Sequence, residues 1–195
     1  MVPNIWSLYE WSDWLTPVSV GHRRFDTLFY VCHLSKQPNV SVDNTEVTQP
    51  IWCNPSAILE DHRQEQVFLA PPQVYELSRF IYFHKITQIK QFASARQVLG
   101  IQRWLPVMLT FDDGSVSVLP GDLRYPLEPK LVSTDPVAEI EGSIDVAELE
   151  VGPKNRIELR GIQSRAICNV EPGCGHLPPL TYSEELKELD FRSKL

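Results

Sequence analysis

Arg23 and Arg24 are adjacent and stand directly before an apolar run, in the segment WLTPVSVGHRRFDTLFYVCHL (14–34). Guanidinium forks bind phosphate and carboxylate oxygens bidentately, so a pair at the mouth of a strand suits an anionic ligand. Successive strand residues point to opposite faces, so one arginine faces a ligand and the other faces structure. The alternative is a surface ion pair, with Asp26 placed to hold an arginine or to cap a turn.

Other chemistry-bearing residues form no recognisable constellation. His22, His33, His62, His84 and His176 have no triad spacing with a serine, and there is no nucleophile-elbow pattern. Phosphate-cradling and dinucleotide glycine patterns are missing as well. The run CNVEPGCGH brings Cys168, Cys174 and His176 close in sequence, but a zinc site wants tighter pairing and a second pair elsewhere. Cys32, in an apolar run, and Cys53, after Trp52, read as buried thiols. Asp122, after Gly121, reads as the cap of a turn rather than a metal ligand.

The bulk properties narrow the partners. The chain has 195 residues, net charge −7 and 43% apolar residues, which suits a globular domain with a real core. Non-specific nucleic-acid binding needs a basic footprint that this composition lacks. No apolar stretch reaches the length of a membrane span. The opening MVPNIWSLYEW has no basic or apolar leader pattern, and its dense aromatics want a core around them, so it reads as an internal segment of a fold. The last three residues, Ser193, Lys194 and Leu195, spell the tripeptide read by the peroxisomal import receptor, which predicts a peroxisomal location.

These side chains need elements to position them. Residues 8–15 read as a short strand and 24–34 as a central one, rich in strand formers. Residues 46–52 read as a third strand, with Pro50 at an edge or bulge. Asn54-Pro55 and Pro71-Pro72 open two helices, and a third runs over 86–99 and stops at Gly100. Alternation over 107–111 and 116–118 around Asp113-Gly114 predicts a hairpin. Residues 135–148 are acidic without a period, 155–162 reads as one more strand, and a short helix is expected over 183–189. The compact part is expected over about 6–125, with a looser remainder.

Together IWSLYEWSDWLTP, RRFDTLFYVCHL, EVTQPIWCNPS, LAPPQVYEL, RWLPVMLTFDDGSVSVLPGD and the terminal SKL resemble one family. It is the peroxisomal coenzyme A diphosphatase group of the Nudix hydrolase superfamily, nucleoside diphosphate-linked moiety X motif 19, in its C-terminal part. The resemblance implies an α/β fold: part of a Nudix α/β/α sandwich with a mixed sheet over 5–126, then an extension of uncertain order over 127–192 and the targeting tripeptide 193–195. It implies hydrolysis of the diphosphate of coenzyme A or acyl-CoA, with Mg²⁺ or Mn²⁺, to 3′,5′-ADP and (acyl)phosphopantetheine. It makes Arg23 and Arg24 candidates for substrate phosphates and Glu46 a candidate metal ligand outside the Nudix box. The box itself, with its Arg-Glu-apolar-x-Glu-Glu-x-Gly run, does not occur in the sequence. The chain is therefore expected to begin after the box and to be inactive alone. The alternative is a non-catalytic peroxisomal protein that binds a CoA-like ligand or a partner. A split sheet would also leave strand edges open to self-association.

Overall fold

A computed structural model describes residues 4–20, 23–42, 45, 49–131, 138–145 and 150–180. Glu46, the expected helix over 183–189 and the terminal Ser193, Lys194 and Leu195 lie outside the described residues. The architecture is α/β, with helices against two mixed sheets. The first sheet has the order β2-β1-β3, from β1 (Leu8–Leu15), β2 (Asp26–Cys32) and β3 (Arg103–Trp104). Its β1–β2 pair is antiparallel and its β1–β3 pair is parallel.

Strand β1 holds the decisive irregularity. The β1–β2 register slips between Glu10 and Ser12, so Trp11 is the extra residue of a bulge. Trp11 and Trp14 are three apart, and a regular strand would send them to opposite faces. The bulge flips the alternation, and both indoles end in the interior.

The helices start where proline dictates. Helix α1 (Pro55–Arg63) and helix α2 (Pro71–Phe80) both have proline in the first turn, where its missing N–H costs nothing. The side chain of Gln73 accepts a hydrogen bond from the Ala70 N–H and closes the start of α2. Helix α3 (Ile86–Arg96) passes into a 3₁₀ turn over Gln97–Leu99 and ends at Gly100, whose φ of 70° favours glycine.

The second sheet has the order β6-β4-β5-β7-β8. Strands β4 (Val107–Phe111) and β5 (Gly114–Val118) form the expected hairpin. A Cβ at Gly114 would stand 2.3 Å from the Leu159 carbonyl oxygen, so the neighbouring strand requires glycine there. Strand β6 (Ala138–Glu139) runs parallel to β4. Strands β7 (Asn155–Arg160) and β8 (Gln163–Cys168) form a second hairpin, turning at Gly161 with φ 61°. One core cluster joins the two sheets through Trp14, Tyr75, Trp104, Leu119, Ile157 and Ala166.

Several expectations change here. Order extends well past residue 126: β7 and β8 are integral to the second sheet, and Ile144, from the acidic stretch, is fully buried. Its N–H donates to Asp113 Oδ1, so this stretch is tied to the first hairpin's turn. Strand β2 is an edge, not a central strand, among the described residues, despite its nearly continuous apolar run. Residues 49–54 form no strand, and 46–48 lie outside the described residues. Cys32 and Cys53 are exposed rather than buried, because one ends an edge strand and the other lies in an extended segment that no strand covers.

Candidate functional site

The segment that carries the resemblance lines an apolar cleft of about 460 Å³. Trp14, Leu15, Thr16 and Pro17, with Thr27 and Phe29 of β2, form one wall. Pro71, Pro72 and Gln73 at the start of α2 form the second. Met108, Ser117, Ile157 and Leu159 of the second sheet close the third. The cleft therefore exists only where the two sheets meet, and its surface suits an alkyl or similarly apolar group.

The twin arginines take different roles beside it. Arg24 donates from Nε to the carbonyl of Thr16 at 2.9 Å and from Nη1 to the carbonyl of Leu131 at 2.6 Å. Thr16 in turn exchanges hydrogen bonds with Phe25, so Arg24 helps fix the loop that leads from β1 to β2. Arg23 is exposed. Asp26 pairs with neither; it meets Arg103, which also reaches Asp13 at 3.3 Å. Burial, and then the neighbouring Asp26, raise the Asp13 carboxyl above its usual range.

Behind the cleft wall stands a buried carboxylate that sequence reading missed. Glu76 Oε2 accepts from Trp11 Nε1 and Oε1 accepts from Trp14 Nε1, each at 2.8 Å. Arg79 Nη1 donates to both oxygens, at 3.0 and 3.1 Å. The Arg79 guanidinium lies over the rings of Tyr75 and Trp104, at 4.7 and 4.9 Å from their centres. Arg96 donates to the Trp11 carbonyl, and His176 packs edge-on against the Trp11 ring. Burial, with the Arg79 and Arg96 charges, pushes the His176 imidazole down to about 2, so it is neutral. The one local signal for this network was the Glu76–Arg79 spacing on a helix; the tryptophans' convergence needed the bulge.

A second buried pair anchors the other sheet. Asp122 accepts a fork from Arg156 Nε and Nη2, both at 2.7 Å. It also accepts from the Asn155 and Arg124 N–H groups, at 2.9 Å each. The expected turn cap is thus real, and the ion pair comes in addition.

The described residues do not fit a divalent metal. No group of three or more His, Cys, Asp or Glu side chains among them is arranged to hold one, and that includes Cys168, Cys174 and His176. Asp13 of β1 and Asp26 of β2 are already bridged by Arg103.

Two family models match: the NUDT19 Nudix domain over residues 1–80 and the NUDT19 C-terminal domain over residues 108–169. The chain is 39% identical over 190 residues to the acyl-coenzyme A diphosphatase NUDT19 of Xenopus laevis, covering 95% of this chain and 50% of the relative. It is 37% identical to that of Gallus gallus over 206 residues, 98% of this chain and 52% of the relative. To that of Homo sapiens it is 42% identical over 124 residues, 63% of this chain and 33% of the relative. The chain belongs to the NUDT19 family. It spans about half the length of the first two curated relatives. No solved structure matches it. The NUDT19 C-terminal domain match coincides with the second sheet, from β4 to β8, and the NUDT19 Nudix match takes in β1, β2, α1 and α2. The apolar cleft lies between these two matched parts.

Proposed function

We propose that the chain supplies the substrate cleft of a Nudix-type hydrolase that cleaves the diphosphate of coenzyme A and acyl-CoA, giving 3′,5′-ADP and (acyl)phosphopantetheine. The carrying observation is the apolar cleft, walled largely by residues of the family resemblance, in a chain whose relatives are named acyl-coenzyme A diphosphatases. The acyl or pantetheine part occupies the cleft, and Arg23, the exposed member of the twin pair, meets phosphate. Arg24 then acts through the loop it ties down. Mg²⁺ or Mn²⁺ belongs to the Nudix box, whose sequence this chain does not contain, with Glu46 as the outlying candidate ligand. The chain by itself is inactive. Ser193, Lys194 and Leu195 deliver it to the peroxisome through the import receptor, and the β2 edge, unpaired among the described residues, drives self-association.

The test is incubation with decanoyl-CoA and Mn²⁺, alone and with the box-bearing half of a relative supplied in trans. The expected result is binding without 3′,5′-ADP from the chain alone, and turnover when the box is supplied. Turnover by the chain alone at a full-length relative's rate would remove the inactivity claim. Binding that Met108→Trp does not weaken would remove the cleft assignment. The second reading is a CoA-ligand-binding or partner-binding protein without catalysis. Binding that never becomes turnover, even with the box supplied, would select it.

A further inference from the structure

A second cavity, of about 350 Å³, lies between α1, α2 and the β7–β8 hairpin and shares no lining residue with the cleft. Strand alternation explains the separation. Ile157 and Leu159 of β7 turn to the cleft, whereas Glu158 and Arg160 turn to this cavity. Its apolar floor is Leu59, Val74 and Ala166.

Glu158 is the unusual wall residue. It is 4% exposed, and its Oε2 accepts from Arg165 Nη2 at 2.7 Å. Its Oε1 has no hydrogen-bond partner among the described residues. A buried carboxylate oxygen left so is costly unless a donor reaches it. Burial lifts the Glu158 carboxyl to about 7, against the lowering pull of Arg160 and Arg156. At the rim stand Arg63, Arg160 and Arg165, with side chains 53%, 41% and 42% exposed. Arg63 pairs with Glu60 and Arg165 with Glu158; Arg160 pairs with Asp145 and lies 3.9 Å from Asp113, yet its guanidinium offers five N–H donors. His62 is not a catalytic base here. Its Nε2 accepts the Ser164 N–H and meets Ser164 Oγ, while Nδ1 faces Val67 O and Leu69 N, so the ring straps α1 to β8.

We propose that this cavity binds a small phosphorylated ligand bearing a hydroxyl or amino group, which donates to Glu158 Oε1 while the phosphate meets the arginine rim. The volume suits a sugar phosphate or one nucleotide. The proposal is independent of the diphosphatase reading, because no cleft residue enters it.

Calorimetry tests it with the whole chain and three probes: ribose 5-phosphate, adenosine 5′-monophosphate and inorganic phosphate. At least one organic phosphate binds about tenfold or more tightly than inorganic phosphate, since only it can satisfy Glu158. The tighter of the two tells a sugar phosphate from a nucleotide, and either supports the site. Glu158→Leu and Arg160→Met each weaken that binding about tenfold, while Arg103→Met, on the other sheet, leaves it unchanged. If Glu158→Leu does not fold, Arg160→Met, at the exposed rim, decides alone. The proposal is overturned if no organic phosphate binds at millimolar concentration, if inorganic phosphate binds equally well, or if Arg160→Met binds like the unmodified chain.

Discussion

The second sheet seals Val116, Val118 and Ile157 from water, whereas beside the first Trp6, in the turn before β1, is 88% exposed and Phe25, just before β2, 62%, with Tyr30 of β2 exposed as well. The interiors of the two regions are alike. Each holds a carboxylate whose oxygens are fully used, Glu76 under the first sheet and Asp122 beside the second. The difference is therefore in the outer surface. Aromatic rings of the first region stand exposed, and β2 has no partner on its outer side among the described residues; the second region's exposed apolar side chains, such as Leu127, Val151 and Ile162, are aliphatic.

The largest expected effect tests the likeness of the interiors. Asp122→Ala strands Arg156 in the core, and Glu76→Ala strands Arg79 and two indole N–H groups. Each loses about 3–5 kcal/mol in urea unfolding, the usual cost of breaking a buried pair. A loss below about 1 kcal/mol at Glu76 alone would show that the first region is loosely held and that the likeness is false.

The pH response separates the regions by sign. The His176 imidazole, against the first sheet, is held down to about 2 in the folded chain, so it weakens folding as pH falls below its unfolded value of about 6.5. Glu158, in the second, is raised from 4.5 to about 7, so it weakens folding as pH rises between those values. Each term amounts to a few kcal/mol at most, and from about pH 4.5 to 6.5 they oppose each other. Thermal melts of Glu158→Gln should rise with pH across that window, and those of His176→Gln should fall. Parallel curves would refute the assignment.

A smaller effect concerns the surfaces themselves. Trp6→Ser with Tyr30→Lys should change stability by no more than about 0.5 kcal/mol, yet shift sedimentation toward the monomer. Leu127→Ser, at a fully exposed position outside both sheets, should leave association unchanged. Arg103→Met is a small effect on stability alone. Its partners Asp13 and Asp26 form a surface cluster, so the loss is about 0–1 kcal/mol and fades in high salt.

Local rules made much of the fold legible. Proline at the first turns announced α1 and α2, Gly100 ended the third helical run, and Asp113-Gly114 announced the first hairpin. The second hairpin is only half legible: residues 155–162 read as a strand, but β8 and the turn at Gly161 become evident only once the sheet is formed. Of the candidate site, the resemblance segments marked the WLTP and FDTLF wall and Met108, but not Ile157 and Leu159, which come from a distant strand.

By itself, then, the sequence determined the family signature, the helix starts and the first hairpin, because capping, turn chemistry and periodicity act over a few residues. Tertiary structure decided the rest. The bulge at Trp11 brought two tryptophans onto Glu76, more than sixty residues away. The fold likewise carried Arg156 to Asp122 and left Glu158 with an unpartnered oxygen in a cavity. Such pairings depend on register and burial across distant strands, and one slipped residue reverses every face.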